Sequence, residues 1–229
     1  VAARRKRKGG LLRRILRALL LAIVAYYALC LLLLFAYRWV DPPLTGVQLE
    51  RRIEAIFSGD DYEPRQRNLA LSEIPLDMRH AVIAAEDGAF YDHGGVDWAE
   101  LNKVVKDVRG GGRMRGASTI TQQLVKNLFL TTSRTPVRKG LELTLVFPAE
   151  ALLSKDRMLE IYLNVIEWGP GVWGVGAASE YHYGKPVSAL SKREAARLAA
   201  CIPAPRSRKP AQMNDYSVII LERMRARGW

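Results

Sequence analysis

The sequence predicts a mainly α domain carried behind one transmembrane helix. Three observations lead there. Residues 18–37, "ALLLAIVAYYALCLLLLFAY", run for twenty positions without a charge. Most later segments place apolar residues at helical spacing behind recognisable caps. Period-two runs bounded by turns, the mark of half-buried strands, are scarce.

The elements follow in order. A twenty-residue helix rises about 30 Å, enough for the hydrocarbon core of a bilayer. Arg38 and Trp39 close the run, and its tyrosines with Trp39 suit the headgroup interface. A cleaved signal peptide would have a shorter apolar region and a small-x-small exit. A lipoprotein signal would place a small residue before its cysteine, where Leu29 stands. A single-pass anchor over 18–39 is the reading that remains. The basic tail, 1–17, lies N-terminal to it, which places the N-terminus in the cytoplasm and the rest outside.

Residues 40–64 read as a linker and a first helix. "DPPLTG" cannot be helical because its prolines fix φ and lack an N–H. "VQLERRIEAIF" (47–57) then has helical spacing, and "SGDDYEPRQRN" reads as loop. The main domain is expected over 65–229. Met78, Val82 and Ala85 share one helical face, with Gly88 as the stop. A short helix is predicted over 96–108, followed by a mobile basic loop, "RGGGRMRG". Thr119 and Gln122 form a capping box at the head of another helix. Ile120, Leu124 and Leu128 should face the core there, while Gln122, Gln123 and Lys126 look outward. "TPVRKGLELTLVF" is helical, and Pro148 is expected to kink or end it. Ser154 is the expected N-cap of "SKDRMLEIYLNVI". "SKREAARLAACI" and "YSVIILERMRARGW" complete the set.

Composition narrows the function. The 229 residues carry a formal charge of +12. Eight of those charges (Arg4, Arg5, Lys6, Arg7, Lys8, Arg13, Arg14 and Arg17) lie in the tail, leaving a mild +4 elsewhere. Nucleic acid is therefore not an expected partner. Cys30 lies in the anchor and Cys201 in "LAACIPAP", so they are not expected to pair. His80, His93 and His182 show no zinc spacing. "GPGVWG" spells a dinucleotide loop, but no strand precedes it and Pro170 occupies the phosphate turn. Ser-x-x-Lys is absent, which excludes a penicillin-binding transpeptidase site in this chain.

Two segments carry chemistry. In "AAEDGAF", Glu86 falls in the last turn of a helix, where the macrodipole is negative and a carboxylate becomes more basic. That segment alone fits a general base and a solvated acid beside a turn equally. In "SRTPVRKGLE", Lys139 and Glu142 share a helix face, with Arg134 and Arg138 close by in sequence and Lys126 on the preceding helix. An ordinary charged face explains this group more simply. Cations around an acid are also what steadies a diphosphate leaving group without a P-loop.

Taken together, "EDGAFYDHGGVD", "GASTITQQLVKN", "RKGLE" and "SKDRMLEIYLN" resemble, in order, the four blocks of the peptidoglycan glycosyltransferases. The resemblance spans roughly residues 65–205 and is strongest to the monofunctional, membrane-anchored members. Ala117 departs from the second block, Pro148 interrupts a usually unbroken helix, and the last block is only loosely similar. The resemblance implies a lysozyme-like, two-lobed domain that polymerises lipid II into β-1,4 glycan strands with inversion, releasing undecaprenyl diphosphate. It implies Glu86 as the general base, with Lys139 and Arg134, helped by Lys126, stabilising the leaving group. Glu142 would orient those cations or a diphosphate-bound metal, and Asp87 would position Glu86 or the acceptor. Ser118, Thr119, Gln122, Gln123 and Arg138 join the substrate contacts. No cofactor is obligatory, although Mg2+ or Mn2+ could accompany the diphosphate. The expected partners are lipid II, its growing lipid-linked glycan, the inner membrane, and proteins of division, elongation or cross-linking. A lytic glycosidase would also want the glutamate but has no use for the cations, and a non-catalytic scaffold needs neither.

Overall fold

A computed structural model describes residues 2–112, 116 and 118–229, with side chains from residue 10 onward. Arg113, Met114 and Arg115 of the expected basic loop, and Ala117 of the second block, lie outside the described residues.

The anchor is one helix, α1 (Ala2–Ala36), which runs unbroken through the basic tail and the apolar stretch. Gly10–Ala36 is long and apolar enough to cross a membrane. Its last turns do not stand free. Cys30, Leu34 and the following Tyr37 are buried against the domain. The Tyr26 hydroxyl donates to the Phe129 carbonyl at 2.8 Å, and Tyr27 hydrogen-bonds Thr144. The tyrosines expected at the headgroups are thus turned toward protein, while Trp39 is exposed.

Beyond the anchor come α2 (Gly46–Ser58), β1 (Arg65–Gln66), α3 (Leu76–Glu86), α4 (Trp98–Arg109), α5 (Ile120–Phe129) and α6 (Pro136–Leu152). Then follow α7 (Lys155–Val165), β2 (Glu167–Gly169), β3 (Val172–Trp173), α8 (Val175–Tyr183), α9 (Lys192–Ala199) and α10 (Asn214–Ala226). The domain is mainly α, as its sequence predicts. Local chemistry sets most helix starts: Thr45, Thr119 and Ser191 make capping boxes, and Asp97, Thr135 and Ser154 cap with their side chains.

Of the two outcomes expected at Pro148, a kink or an end, the helix does not end there: α6 continues through it to Leu152. Leu145, Val146 and Ala149 around the proline are fully buried, and that packing offsets the one backbone hydrogen bond the ring removes. α3 ends on extended Asp87 (φ −159°), not on a left-handed glycine. The small strands and α8 are not anticipated from periodicity. β3 pairs in parallel with β1 and antiparallel with β2, in the order β1-β3-β2. The "GPGVWG" run is simply the β2–β3 hairpin and the turn after it.

The helices fall into two groups. α3 packs with α9 and α10, whereas α5 packs with α2, α6 and α7. One continuous apolar cluster joins them, including Met78 and Val82 of α3, Leu124 of α5, Met158 and Tyr162 of α7, and Leu198 of α9. The ends of α3 and α5 meet at the seam between the groups. Gly95 makes that approach possible. It adopts φ +88°, and a Cβ there would sit 2.4 Å from a Val146 methyl and 2.9 Å from Cγ of Glu150. Gly95→Ala is expected to destabilise the protein by about 3 kcal/mol through backbone strain and overpacking. In detergent the thermal midpoint should fall by about 6–12 °C; an unchanged midpoint would contradict the packing described.

Candidate active site

Glu86 closes α3, so its carboxylate sits beside the unpaired carbonyls and the negative end of that helix. It is half-buried, and burial pushes its pKa above the usual glutamate value. A hydrogen bond from Gln123 Nε2 to Glu86 Oε2 (2.7 Å) opposes that rise. The charges of Lys126 and Arg208 also oppose it, while Asp87 adds to it. The net displacement is upward, which suits a proton acceptor.

Asp87 is buried and does not hydrogen-bond Glu86. Its Oδ1 lies 2.9 Å from Nε2 of His93, and its Oδ2 accepts the backbone N–H of Ile120 at 2.9 Å. The Gly95 N–H donates to Nδ1 of His93 at 3.1 Å. That leaves the ring's Nε2–H for Asp87. Asp87 therefore ties the last turn of α3 to the first turn of α5, and its effect on Glu86 runs through the backbone. Burial raises the Asp87 pKa, and the bonds from His93 and Ile120 oppose the rise.

The cation group gathers on α5 and α6. Glu142 is only 2% exposed. Arg138 Nη1 reaches its Oε2 at 2.5 Å, and Lys139 pairs with its Oε1. Lys139 Nζ also lies 3.2 Å from Ser118 Oγ and 3.1 Å from Gln122 Oε1. Lys126 is half-buried between the two glutamates. Burial lowers its pKa, while Glu142 and Glu86 resist that fall. Arg134 is exposed in the segment between α5 and α6, outside this contact network.

The remaining predicted residues divide between structure and cleft. Thr119 is buried, caps α5, and donates to the Gly95 carbonyl at 2.6 Å. Gln122 is expected to face outward but is buried, because it completes the capping box and accepts from Lys139. Gln123 bridges Glu86 and the Tyr162 hydroxyl, which donates to its Oε1 at 2.8 Å. Ser118 and Thr119 line a cleft of about 680 Å³ together with Glu86 and Asp87. Its far wall is formed by Tyr216 and Arg223 of α10 and by Arg227 just past that helix. Arg223 also donates to the Ala84 carbonyl at 3.1 Å, a C-terminal acceptor of α3.

Sequence reasoning misses His93 as a strut, Tyr162 behind Gln123, and the α10 wall. His93 is three residues past Phe90 in the first block, so proximity to Asp87 is its one local signal. The α10 side chains reach the cleft only through tertiary packing. Among the described residues no group of three or more His, Cys, Asp or Glu side chains could hold a metal. Both oxygens of Glu142 are occupied by cations, so the residues present do not fit a protein-held divalent ion at that end of the site.

Residues 51–225 match the family model described as Transglycosylase. The chain is similar to the biosynthetic peptidoglycan transglycosylase of Stutzerimonas stutzeri (strain A1501), with 40% identity over 95% of this chain and 92% of that protein. The protein of the same name from Pseudomonas entomophila (strain L48) is 43% identical over 86% of this chain and 82% of its own length. The one from Marinomonas sp. (strain MWYL1) is 40% identical over 96% and 90%. The match covers both the Glu86 helix end and the Glu142 cation group, and the chain belongs to the transglycosylase family.

Proposed function

We propose that this enzyme polymerises lipid II, using Glu86 as base and the α5–α6 cations at the donor diphosphate. The observation that carries the reading is a half-buried glutamate held by Gln123 of α5, with Arg138 and Lys139 gathered on buried Glu142 and on Ser118 and Gln122 at the head of the same α5. A lytic enzyme would need the first feature and not the second, since its leaving group is a sugar.

In this mechanism Glu86 accepts the proton of the acceptor GlcNAc 4-hydroxyl. The oxygen forms a bond to the anomeric carbon of the donor MurNAc as the bond to the diphosphate breaks. Attack opposite the leaving group inverts that centre and yields the β-1,4 link, with undecaprenyl diphosphate released. Lys139 and Lys126 meet the developing negative charge, and exposed Arg134 reaches it from the rim. Glu142 holds Arg138 and Lys139 in place, so that little reorganisation accompanies bond breaking. A divalent cation, Mg2+ or Mn2+, would travel with the substrate's diphosphate and not on protein ligands; no step above depends on one. Ser118, Thr119 and Gln122 supply the neutral hydrogen-bonding groups along the cleft. Modest contacts of this kind let a lipid-linked product slide between additions.

The anchor fits the same reading. Both substrates are lipids, so a tethered cleft meets them in two dimensions at raised effective concentration. The basic tail supports a cytoplasmic N-terminus, with the domain at the outer face of the cytoplasmic membrane. Transpeptidases and division or elongation proteins are the partners this placement would serve.

The defining experiment follows labelled lipid II with the full chain in detergent. Lipid-linked polymer is the expected product; intact lipid II would reject the reading, and cleavage of preformed glycan would favour the lytic one. Glu86→Gln should lower kcat by about 10²–10⁴-fold, the usual contribution of a general base. The same variant tests the electrostatics. Burial raises the folded-state pKa of Glu86, so its ionised form opposes folding above that pKa and not below the unfolded value. Glu86→Gln should therefore raise the thermal midpoint at neutral pH, with the gain fading as pH falls into the ordinary carboxylate range. A lowered midpoint at neutral pH would contradict this. Glu142→Gln should cut kcat/KM by about tenfold or more by releasing Arg138 and Lys139. Retention of full activity would remove Glu142 from the site.

A further inference from the structure

Tyr162 takes no part in the scheme above. It is fully buried in α7, and its ring belongs to the apolar cluster that joins the two helix groups. A buried tyrosine is ordinarily a core residue whose hydroxyl finds whatever acceptor is near. Here the acceptor is Oε1 of Gln123, at 2.8 Å, and the other end of the same amide donates to Glu86 at 2.7 Å. Gln123 is the only hydrogen-bond partner of that hydroxyl among the described residues.

A glutamine amide has the same shape in its two flipped orientations and opposite hydrogen-bonding character at each end. Reversed, it would set its oxygen against the Glu86 carboxylate and its NH2 group against the phenol. Two acceptors would then repel, and the phenolic proton would be left buried without an acceptor, a costly state. We infer that Tyr162 is a positioning residue that fixes the Gln123 amide with its N–H toward Glu86, holding the base in its proton-accepting form. The inference rests on Glu86 being the base. Burial, reinforced by the charges of Glu86 and Asp87, keeps the phenol protonated well above its usual range, so the donor persists throughout the working pH.

The other groups around Glu86 stay in place when the hydroxyl is removed. They are Lys126 on α5, the adjoining Asp87, and Arg208 between α9 and α10. Arg223 of α10 lies on the carbonyl of Ala84. A change in the titration of activity on removing the hydroxyl therefore reports on the amide.

The test compares wild type, Tyr162→Phe, Gln123→Met and the double variant, full-length in detergent with lipid II, across pH. Tyr162→Phe keeps the ring. It should lose roughly tenfold in kcat at neutral pH, with KM changed less than about twofold. The acidic limb of its pH–kcat profile should move to higher pH, because the ionised base has lost a donor. The double variant should be no slower than Gln123→Met alone, as expected of residues acting in series. A Tyr162→Phe profile superimposable on wild type would overturn the inference, as would losses that multiply in the double variant. Should Tyr162→Phe fail to fold, 3-fluorotyrosine at position 162 keeps the ring and makes the hydroxyl a stronger donor to the Gln123 amide. A limb moved to lower pH in that variant would support the relay, and an unmoved limb would sink it. A wild-type protein that makes no polymer would instead reject the functional reading and the relay with it.

Discussion

The geometry of the site depends on one buried carboxylate. Asp87 receives the His93 ring on one oxygen and the first backbone N–H of α5 on the other. Those two bonds join the negative end of α3 to the positive end of α5, an arrangement that satisfies both the buried charge and an orphan donor. Glu86 comes with the first helix, and Ser118, Thr119, Gln122, Gln123 and Lys126 come with the second. The strut cannot close unless the chain passes Val146 and Glu150 without a side chain, which is the place of Gly95. Thr119 then bonds the Gly95 carbonyl, so the loop and the helix cap lock each other.

Two glutamates on either side of this seam are driven to different ends by their surroundings. Glu142 is buried between Arg138 and Lys139, and its charge organises cations. Glu86 has one amide donor, and burial outweighs that donor and the charges of Lys126 and Arg208, so proton affinity rises. Neighbouring carboxyl groups with separated roles are a common way for one fold to run acid–base and electrostatic catalysis together. Lys126, half-buried between them, links the two halves and keeps the seam from becoming uniformly negative.

Much of this was legible in the sequence where the cause is local. The capping box at Thr119 and Gln122, the Ser154 cap and the helix ending near Glu86 depend on residues within a turn of one another. The Lys139–Glu142 pair follows from spacing three on a helix, and the four ordered blocks point to the family. What was illegible depends on partners far along the chain. Pro148 lies within α6 because Leu145, Val146 and Ala149 beside it are packed in the core. Gln122 turns inward because Lys139, seventeen residues away, supplies a partner. Tyr26 faces the Phe129 carbonyl, 103 residues distant, instead of headgroups. The α10 wall of the cleft comes from the block whose sequence resembles the family least.

The anchor and the catalytic domain are also one packed unit at their junction. Arg157 at the start of α7 bonds the carbonyls of Tyr37 and Val40 and pairs with Asp41, fixing where the linker leaves the anchor. Catalysis by this site turns on the protonation of Glu86, which can be observed directly. Carboxyl-13C glutamate labelling of the full chain in detergent, with Glu86→Gln used to assign its resonance, would follow that one group through a pH titration. A midpoint above the ordinary glutamate range is predicted; a midpoint at or below that range would contradict the burial-driven base on which the mechanism is built.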